Sequence, residues 1–118
     1  MTDRLETLMR ANLLDVFGER DPERRREAIA RTYTDDVEFL DPDEVVTGTD
    51  PLHEKAGRLL DGAPGFVFAP AGPVYENHGM GFLAWHFGPA GQPPVVSGFD
   101  VCFIRDDRIA KVYTVLTS

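Results

Sequence analysis

The sequence predicts an α+β fold, in which three helices come first and an antiparallel sheet follows. Apolar residues recur at helical spacing through roughly the first half of the chain and in alternation after residue 66. Turn-forming clusters rich in Gly, Asn and Asp separate the alternating runs, as expected for hairpin connections. The 118 residues, 42% hydrophobic with 11 glycines, are typical of one globular domain. We therefore treat residues 1–118 as a single domain.

The first helix is predicted from an i, i+3, i+4, i+7 pattern of inward positions that ends before Gly18. These positions are Leu5, Leu8, Met9, Asn12, Leu13, Val16 and Phe17. Asn12 thus falls inside an apolar stripe. There it is either a hydrogen-bonded core residue or a donor aimed at a ligand.

The second helix should begin at Asp21 and Pro22, with Asp21 as N-cap, and run to about Tyr33. Ala28, Ile29 and Tyr33 would face inward. The run of three arginines at 24–26 is flanked by glutamates and is interpreted as a solvated helix face.

The pair Asp50 and Pro51 repeats this start signal for a third helix that Gly62 and Pro64 terminate. Its predicted buried face consists of Leu52, Ala56, Leu59 and Leu60. Predicted strands cover residues 37–41, 66–69, 74–77, 80–87, 95–104 and 109–116. The late strands are apolar on both faces, which favours a second copy of the chain on the outer face; a strongly curled sheet is the alternative.

Two aspartates interrupt these strands at positions where the alternation should point their side chains toward the core. Asp41 shares a face with Val37 and Phe39, and Asp100 shares a face with Cys102 and Ile104. An ionised carboxylate is costly to bury unless it has a partner or a task. Asp41 is therefore either a pocket residue or the cap of an Asx turn before Pro42. Asp100 is either a pocket acid or a structural acceptor of hydrogen bonds.

Charge and composition exclude several other functions. A formal charge of −8 and a pI near 4.7 argue against nucleic-acid binding. Neither a membrane-length apolar stretch nor a targeting leader stands out, so a cytoplasmic location is expected. The histidines lack ligand spacing, Cys102 is the single cysteine and no Gly-rich phosphate loop is present. We therefore expect no metal or other cofactor, and an inert, buried Cys102 thiol.

A family resemblance rests on the order of these elements and on two motifs. The stretch YTDDVEFLDP at residues 33–42 is the more specific motif, and GFD at 98–100 with DDRI at 106–109 completes the pattern. The chain resembles the nuclear transport factor 2-like superfamily, and within it the SnoaL-like polyketide cyclases and ketosteroid isomerases. The resemblance implies a cone-shaped barrel of curved sheet wrapped by three helices, a deep apolar pocket, and a homodimer formed through the outer sheet face.

The resemblance also implies roles for individual residues. Asp41 matches the general base of the isomerases, and Asp100 matches a pocket aspartate that is a protonated donor in isomerases and the acid/base in cyclases. The isomerases use a tyrosine of the first helix as a second donor, whereas residues 11–14 here read ANLL. Asn12 or Tyr33 would replace it, and Trp85 would form either a pocket wall or part of the core of the dimer interface.

A hydrolase-like site of this superfamily would need an arginine between two aspartates in the pocket, and the central strands offer none. A dehydratase-like site would need a pair of pocket histidines, whereas His78 lies in a turn, His86 alternates with Trp85 and His53 lies at the edge of the apolar stripe.

Three functional classes follow from these observations. The first is a cofactor-independent isomerase or cyclase that uses carboxylate acid/base chemistry on a hydrophobic carbonyl compound. The second is a non-catalytic binder of an apolar metabolite, and the third is a dimeric interaction module without a ligand. A fold resemblance alone does not choose among them.

Overall fold

The computed structural model describes residues 2–118, which form three helices packed against one sheet. The helices are α1 (Thr2–Arg10), which continues as a π-helical turn (Ala11–Val16), α2 (Pro22–Thr32) and α3 (Thr49–Asp61). The strands are β1 (Tyr33–Leu40), β2 (Val45–Thr47), β3 (Phe66–Pro70), β4 (Tyr75–Asn77), β5 (Met80–Pro89), β6 (Val96–Arg105) and β7 (Arg108–Leu116). The predicted α+β class with three N-terminal helices is confirmed.

The sheet is mixed and mostly antiparallel. Its strand order is β2-β1-β7-β6-β5-β3, and β4 pairs with the first half of β5. Only the β1–β7 pair is parallel among the strands of residues 2–118. The path ends at β2 and β3 without closing, as in a curved, cone-like sheet whose concave face the helices cover.

The first helix departs from the predicted regular helix at the level of Asn12. The N–H of Phe17 donates to the carbonyl oxygen of Asn12 at 3.2 Å, five residues earlier. This widened turn buries Asn12, Leu13 and Val16 together. A π-turn of this kind commonly occurs near functional sites because it re-aims the side chains around it.

The start of the second helix is confirmed, and that of the third is corrected. Asp21 accepts hydrogen bonds from the backbone N–H groups of Glu23 and Arg24, as an N-cap does. In α3 the N-cap is Gly48 instead of Asp50. Gly48 has φ of 96°, which favours glycine, and its carbonyl accepts from the N–H of Leu52. Asp50 instead lies in the first turn and pairs with Arg26 at 3.0 Å.

Two burial predictions are also wrong. Arg25, expected on a solvated face, is buried, where its Nε donates to His53 Nδ1 at 3.2 Å and its Nη1 to the carbonyl of Glu19 at 2.6 Å. Leu59, expected in the core, is 36% exposed because it lies beside a cavity. The pattern of β6 is as predicted: Asp100 and Cys102 are both buried on its inner face.

Strand boundaries differ most around β1. It begins at Tyr33, four residues earlier than predicted, and ends before Asp41. The short β2, absent from the prediction, pairs antiparallel with it. No helix within residues 2–118 is long and apolar enough to cross a membrane.

Candidate active site

An apolar cavity of about 210 Å³ lies between the concave face of the sheet and the helices. Apolar and aromatic side chains form most of its wall, and a small set of polar groups interrupts them. Its lining residues are Leu13, Phe17, Phe39, Asp41, Pro42, Asp43, Lys55, Leu59, Phe68, Trp85, Phe87, Val96, Asp100, Thr114 and Leu116. Both aspartates singled out from the sequence therefore line one cavity.

Asp100 is the most deeply buried acid in this wall, with 6% of its surface exposed. Its Oδ1 accepts from Thr114 Oγ1 at 2.7 Å and from Trp85 Nε1 at 3.2 Å, and its Oδ2 accepts from Asn12 Nδ2 at 2.8 Å. Burial raises the pKa of Asp100 to about 6, although the three hydrogen bonds pull it down. A carboxyl with this pKa changes its protonation state close to neutral pH.

Asn12 and Tyr33 lie behind Asp100 and are not among the residues of the cavity wall. The hydroxyl of Tyr33 donates to Asn12 Oδ1 at 2.5 Å, and Asn12 in turn donates to Asp100. Burial raises the pKa of Tyr33 well above its ordinary value, so this hydroxyl stays a proton donor. The two residues predicted to touch substrate thus form a buried chain that orients the Asp100 carboxyl.

Trp85 lies in the cavity wall, as expected for a pocket residue. It pairs with Gly98 across β5 and β6, and a Cβ atom at Gly98 would stand 2.8 Å from Cζ2 of the indole. The ring of Phe68 packs edge-on against it at 5.4 Å between centroids. Glycine at position 98 therefore provides the space in which the indole N–H reaches Asp100.

Asp41 combines the two alternatives that its sequence position left open. It follows β1 directly, lines the cavity, and its side chain is 14% exposed. Its Oδ1 accepts from the N–H groups of Asp43 and Glu44 at 2.9 and 3.0 Å, which is an Asx turn. Its Oδ2 lies 2.7 Å from Nζ of Lys55.

The pKa of Asp41 is lowered, whereas that of Asp100 is raised. Partial burial raises it, but the Lys55 ammonium and the two backbone N–H groups together lower the net value below its ordinary range. Two carboxyls on one cavity thus differ in proton affinity because their surroundings differ. Asp100 is suited to take up and return a proton near neutral pH, whereas Asp41 remains an anion.

Sequence reasoning missed three polar residues of the wall, the exposed Asp43 and the less exposed Lys55 and Thr114. Lys55 is 8% exposed, and its Nζ also lies 2.8 Å from Glu44 Oε2 and 5.6 Å from the ring centre of Phe39. Its position three residues after Leu52, inside the apolar stripe, was the available signal. Thr114 lies directly opposite Asp100 in the β6–β7 register, and the inward alternation of β7 would have indicated it.

One comparison with known proteins shows the family, and another shows the fold. The family model for the SnoaL-like domain matches residues 11–112. A comparison with curated proteins found no match. Among solved structures, a proposed isomerase of the SnoaL-like family from Agrobacterium tumefaciens superposes with a TM-score of 0.90 at 24% identity over 100% of both chains.

Two further solved structures show that this fold is shared by proteins of different kinds. A proposed SnoaL-like polyketide cyclase from Jannaschia sp. CCS1 has a TM-score of 0.77 at 15% identity, covering 98% of this chain and 85% of its own. A de novo designed protein with a curved β-sheet has a TM-score of 0.76 at 8% identity, covering 99% and 88% respectively. At these identities the structural matches show the fold and leave the activity open. The family model, which covers most of the sequence, shows that this chain belongs to the SnoaL-like family.

Proposed function

We propose that this protein is a cofactor-independent isomerase or cyclase that removes a proton next to a carbonyl group in a small hydrophobic compound. The observation that carries the proposal is Asp100, a buried carboxyl with a raised pKa in the wall of an apolar cavity. The names of two structural neighbours, a proposed isomerase and a proposed polyketide cyclase, support the same two reaction classes.

In this proposal Asp100 is the base and Asp41 is not. The lowered pKa of Asp41 makes it a weak base, and its oxygens are already held by Lys55 and the Asx turn. Asp100 takes the proton, the C–H electron pair forms a C=C bond, and the carbonyl oxygen gains the negative charge. Returning the proton at another carbon gives isomerisation, while attack of the enolate on a second carbonyl gives cyclisation.

The size of the cavity limits the substrate. An apolar cavity of about 150 Å³ holds one benzene ring, and this cavity measures about 210 Å³. A compound of one or two rings matches that volume, whereas a four-ring compound exceeds it. The substrate class is thus a small cyclic ketone or a similar carbonyl compound.

The test is proton exchange in a two-ring ketone. In D₂O, the protein should accelerate deuterium incorporation next to the carbonyl of 2-tetralone, followed by NMR. Asp100→Asn should lower this rate by about 100-fold or more because general base catalysis is worth that much. Asp35→Asn, a change at an exposed aspartate outside the cavity, is the matched control.

A second function is supported by the hydrogen bonds of Asp100. Three side-chain donors already satisfy this buried carboxylate, which is what a purely structural acid needs. A non-catalytic binder of an apolar metabolite would therefore bind 2-tetralone without exchanging its protons, and Asp100→Asn would change little. The cavity itself supports these two functions over an interaction module without a ligand.

A further inference from the structure

We infer that Lys55 is a catalytic residue, whose ammonium group donates a hydrogen bond to the substrate carbonyl oxygen and stabilises the negative charge formed there. This inference rests on the proposed function and names the electrophilic partner of Asp100. It supplies the donor for which the first helix, with its ANLL stretch, has no tyrosine.

The geometry brings Lys55 and Asp100 to one cavity from opposite layers of the fold. Lys55 projects from α3 and Asp100 from β6, and both are in the cavity wall. Within the described part of the chain, two of the three ammonium N–H groups have carboxylate acceptors, Asp41 and Glu44. The third N–H remains for a ligand oxygen.

The charge of Lys55 is secured by its neighbours. Burial alone would lower its pKa, but the hydrogen bonds and charges of Asp41 and Glu44 outweigh burial and raise it. The two carboxylates also fix the position of the flexible side chain, so little ordering remains to be done when substrate binds. Among the cavity-lining residues that the structure describes, Lys55 is the only cation.

The chemical step balances with these two residues alone. Asp100 carboxylate gains the proton, the former C–H pair becomes the C=C bond, and the carbonyl π pair moves to oxygen, which Lys55 contacts. Lys55 keeps its own proton throughout. The reverse electron movement, with the proton returned by Asp100, regenerates both groups.

A binding experiment with two ring-matched probes tests this role without a known substrate. 4-Nitrophenolate imitates the enolate oxygen and has its own absorbance, while 4-nitroanisole has the same ring without an ionisable oxygen. The Asp100→Asn background is used because the amide imitates the protonated acid that faces the enolate. Lys55→Met is added to it, and Lys111→Met is the control, since Lys111 is the only other lysine and lies beside Glu38 outside the cavity.

We expect the loss of Lys55 to weaken binding of the charged probe and not that of the neutral one. Adding Lys55→Met should weaken 4-nitrophenolate binding by about tenfold or more, because a nearby opposite charge favours the ionised phenol by at least that factor. Binding of 4-nitroanisole should change little, and adding Lys111→Met should change neither. Asp41→Asn leaves an amide oxygen that still accepts from Lys55 but removes a competing negative charge. It should strengthen phenolate binding, so the inference remains testable if Lys55→Met does not fold.

Two contrary results have different meanings. If both probes bind but phenolate affinity is the same with and without Lys55, or falls with Asp41→Asn, the role of Lys55 is wrong and the proposed function stands. If 4-nitroanisole does not bind the wild-type protein, the cavity does not accept a ring, and the proposed function fails together with this inference.

Discussion

At the scale of single residues, the two cavity aspartates show how surroundings assign different chemistry to the same side chain. Asp100 is surrounded by apolar groups and neutral donors, so burial dominates and its pKa rises. Asp41 contacts an ammonium and two backbone N–H groups, so its net pKa falls. The opposite shifts in pKa follow from these environments and from nothing in the residue type.

Asp100 should make the protein less stable as the pH rises. Its folded pKa of about 6 lies above the ordinary value of 3.8, so its full contribution to stability is present below about pH 4 and is lost as the pH rises through 6. The loss is at most about 3 kcal/mol, since each pH unit of difference is worth about 1.4 kcal/mol. Urea unfolding of wild-type and Asp100→Asn proteins at pH 4 and pH 7 measures it.

The variant has no ionisable group at position 100. Between pH 4 and pH 7 its free energy of unfolding should therefore fall less than that of the wild type. Asp35→Asn should follow the wild type, because Asp35 is exposed. Parallel pH profiles for wild-type and Asp100→Asn proteins would show that burial does not perturb this carboxyl.

At the scale of elements, the site depends on two local irregularities. The π-turn after α1 brings Asn12 to Asp100, and the glycine in β6 makes room for Trp85. Both features determine where donors meet the acid. The cavity wall is therefore built from backbone deviations as well as from side chains.

Gly98→Ala should displace Trp85. The added Cβ would meet the carbonyl oxygen of Val115 and two atoms of the indole, so the strand pair or the ring must shift. Overpacking of this kind costs about 1–3 kcal/mol. Because Trp85 is the single tryptophan, its fluorescence reports the shift while urea unfolding reports the cost.

Gly62→Ala is the matched control for this change. Gly62 ends α3 with φ of −80°, and a Cβ there would make only ordinary contacts. Equal fluorescence and stability for both variants would mean that Gly98 is not needed for the placement of the indole.

At the scale of the whole molecule, the outer face of the sheet is unusually apolar. Phe103 is 41% exposed, and the centroid of its ring lies 6.0 Å from that of Tyr113. Val101 and Val115 extend the same surface. Large exposed apolar patches commonly mark an interface. We propose that this face binds a second copy of the chain, as the family resemblance implies.

Phe103→Asp should separate such a dimer. It places a charge in the centre of the apolar surface, and desolvating that charge in both copies would oppose association. Light scattering after size exclusion should give twice the 13.1 kDa chain mass for the wild type and the chain mass for the variant. Val95→Asp, at an exposed loop position, should leave the dimer intact; a wild-type protein of single chain mass would refute the proposal.

The local sequence pattern alone determined the helices, the buried face of β6 and one helix N-cap. The periodicity of apolar residues predicts the three helices, and the alternation in β6 places Asp100 on the buried face of the strand together with Cys102. These features depend on neighbours within a few residues, for which helix and strand geometry are fixed in advance. The same reasoning explains why Asp21 could be identified as an N-cap.

Only the tertiary structure decided which distant side chains meet. Asn12 reaches Asp100 across 88 positions, and Lys55 of α3 meets Asp41 beyond the end of β1. Such contacts depend on the sheet register and on how each helix lies over the sheet, which no local pattern specifies. The acid itself was thus visible in the sequence, whereas its donors and the lysine that shares its cavity required the assembled fold, because packing sets their positions.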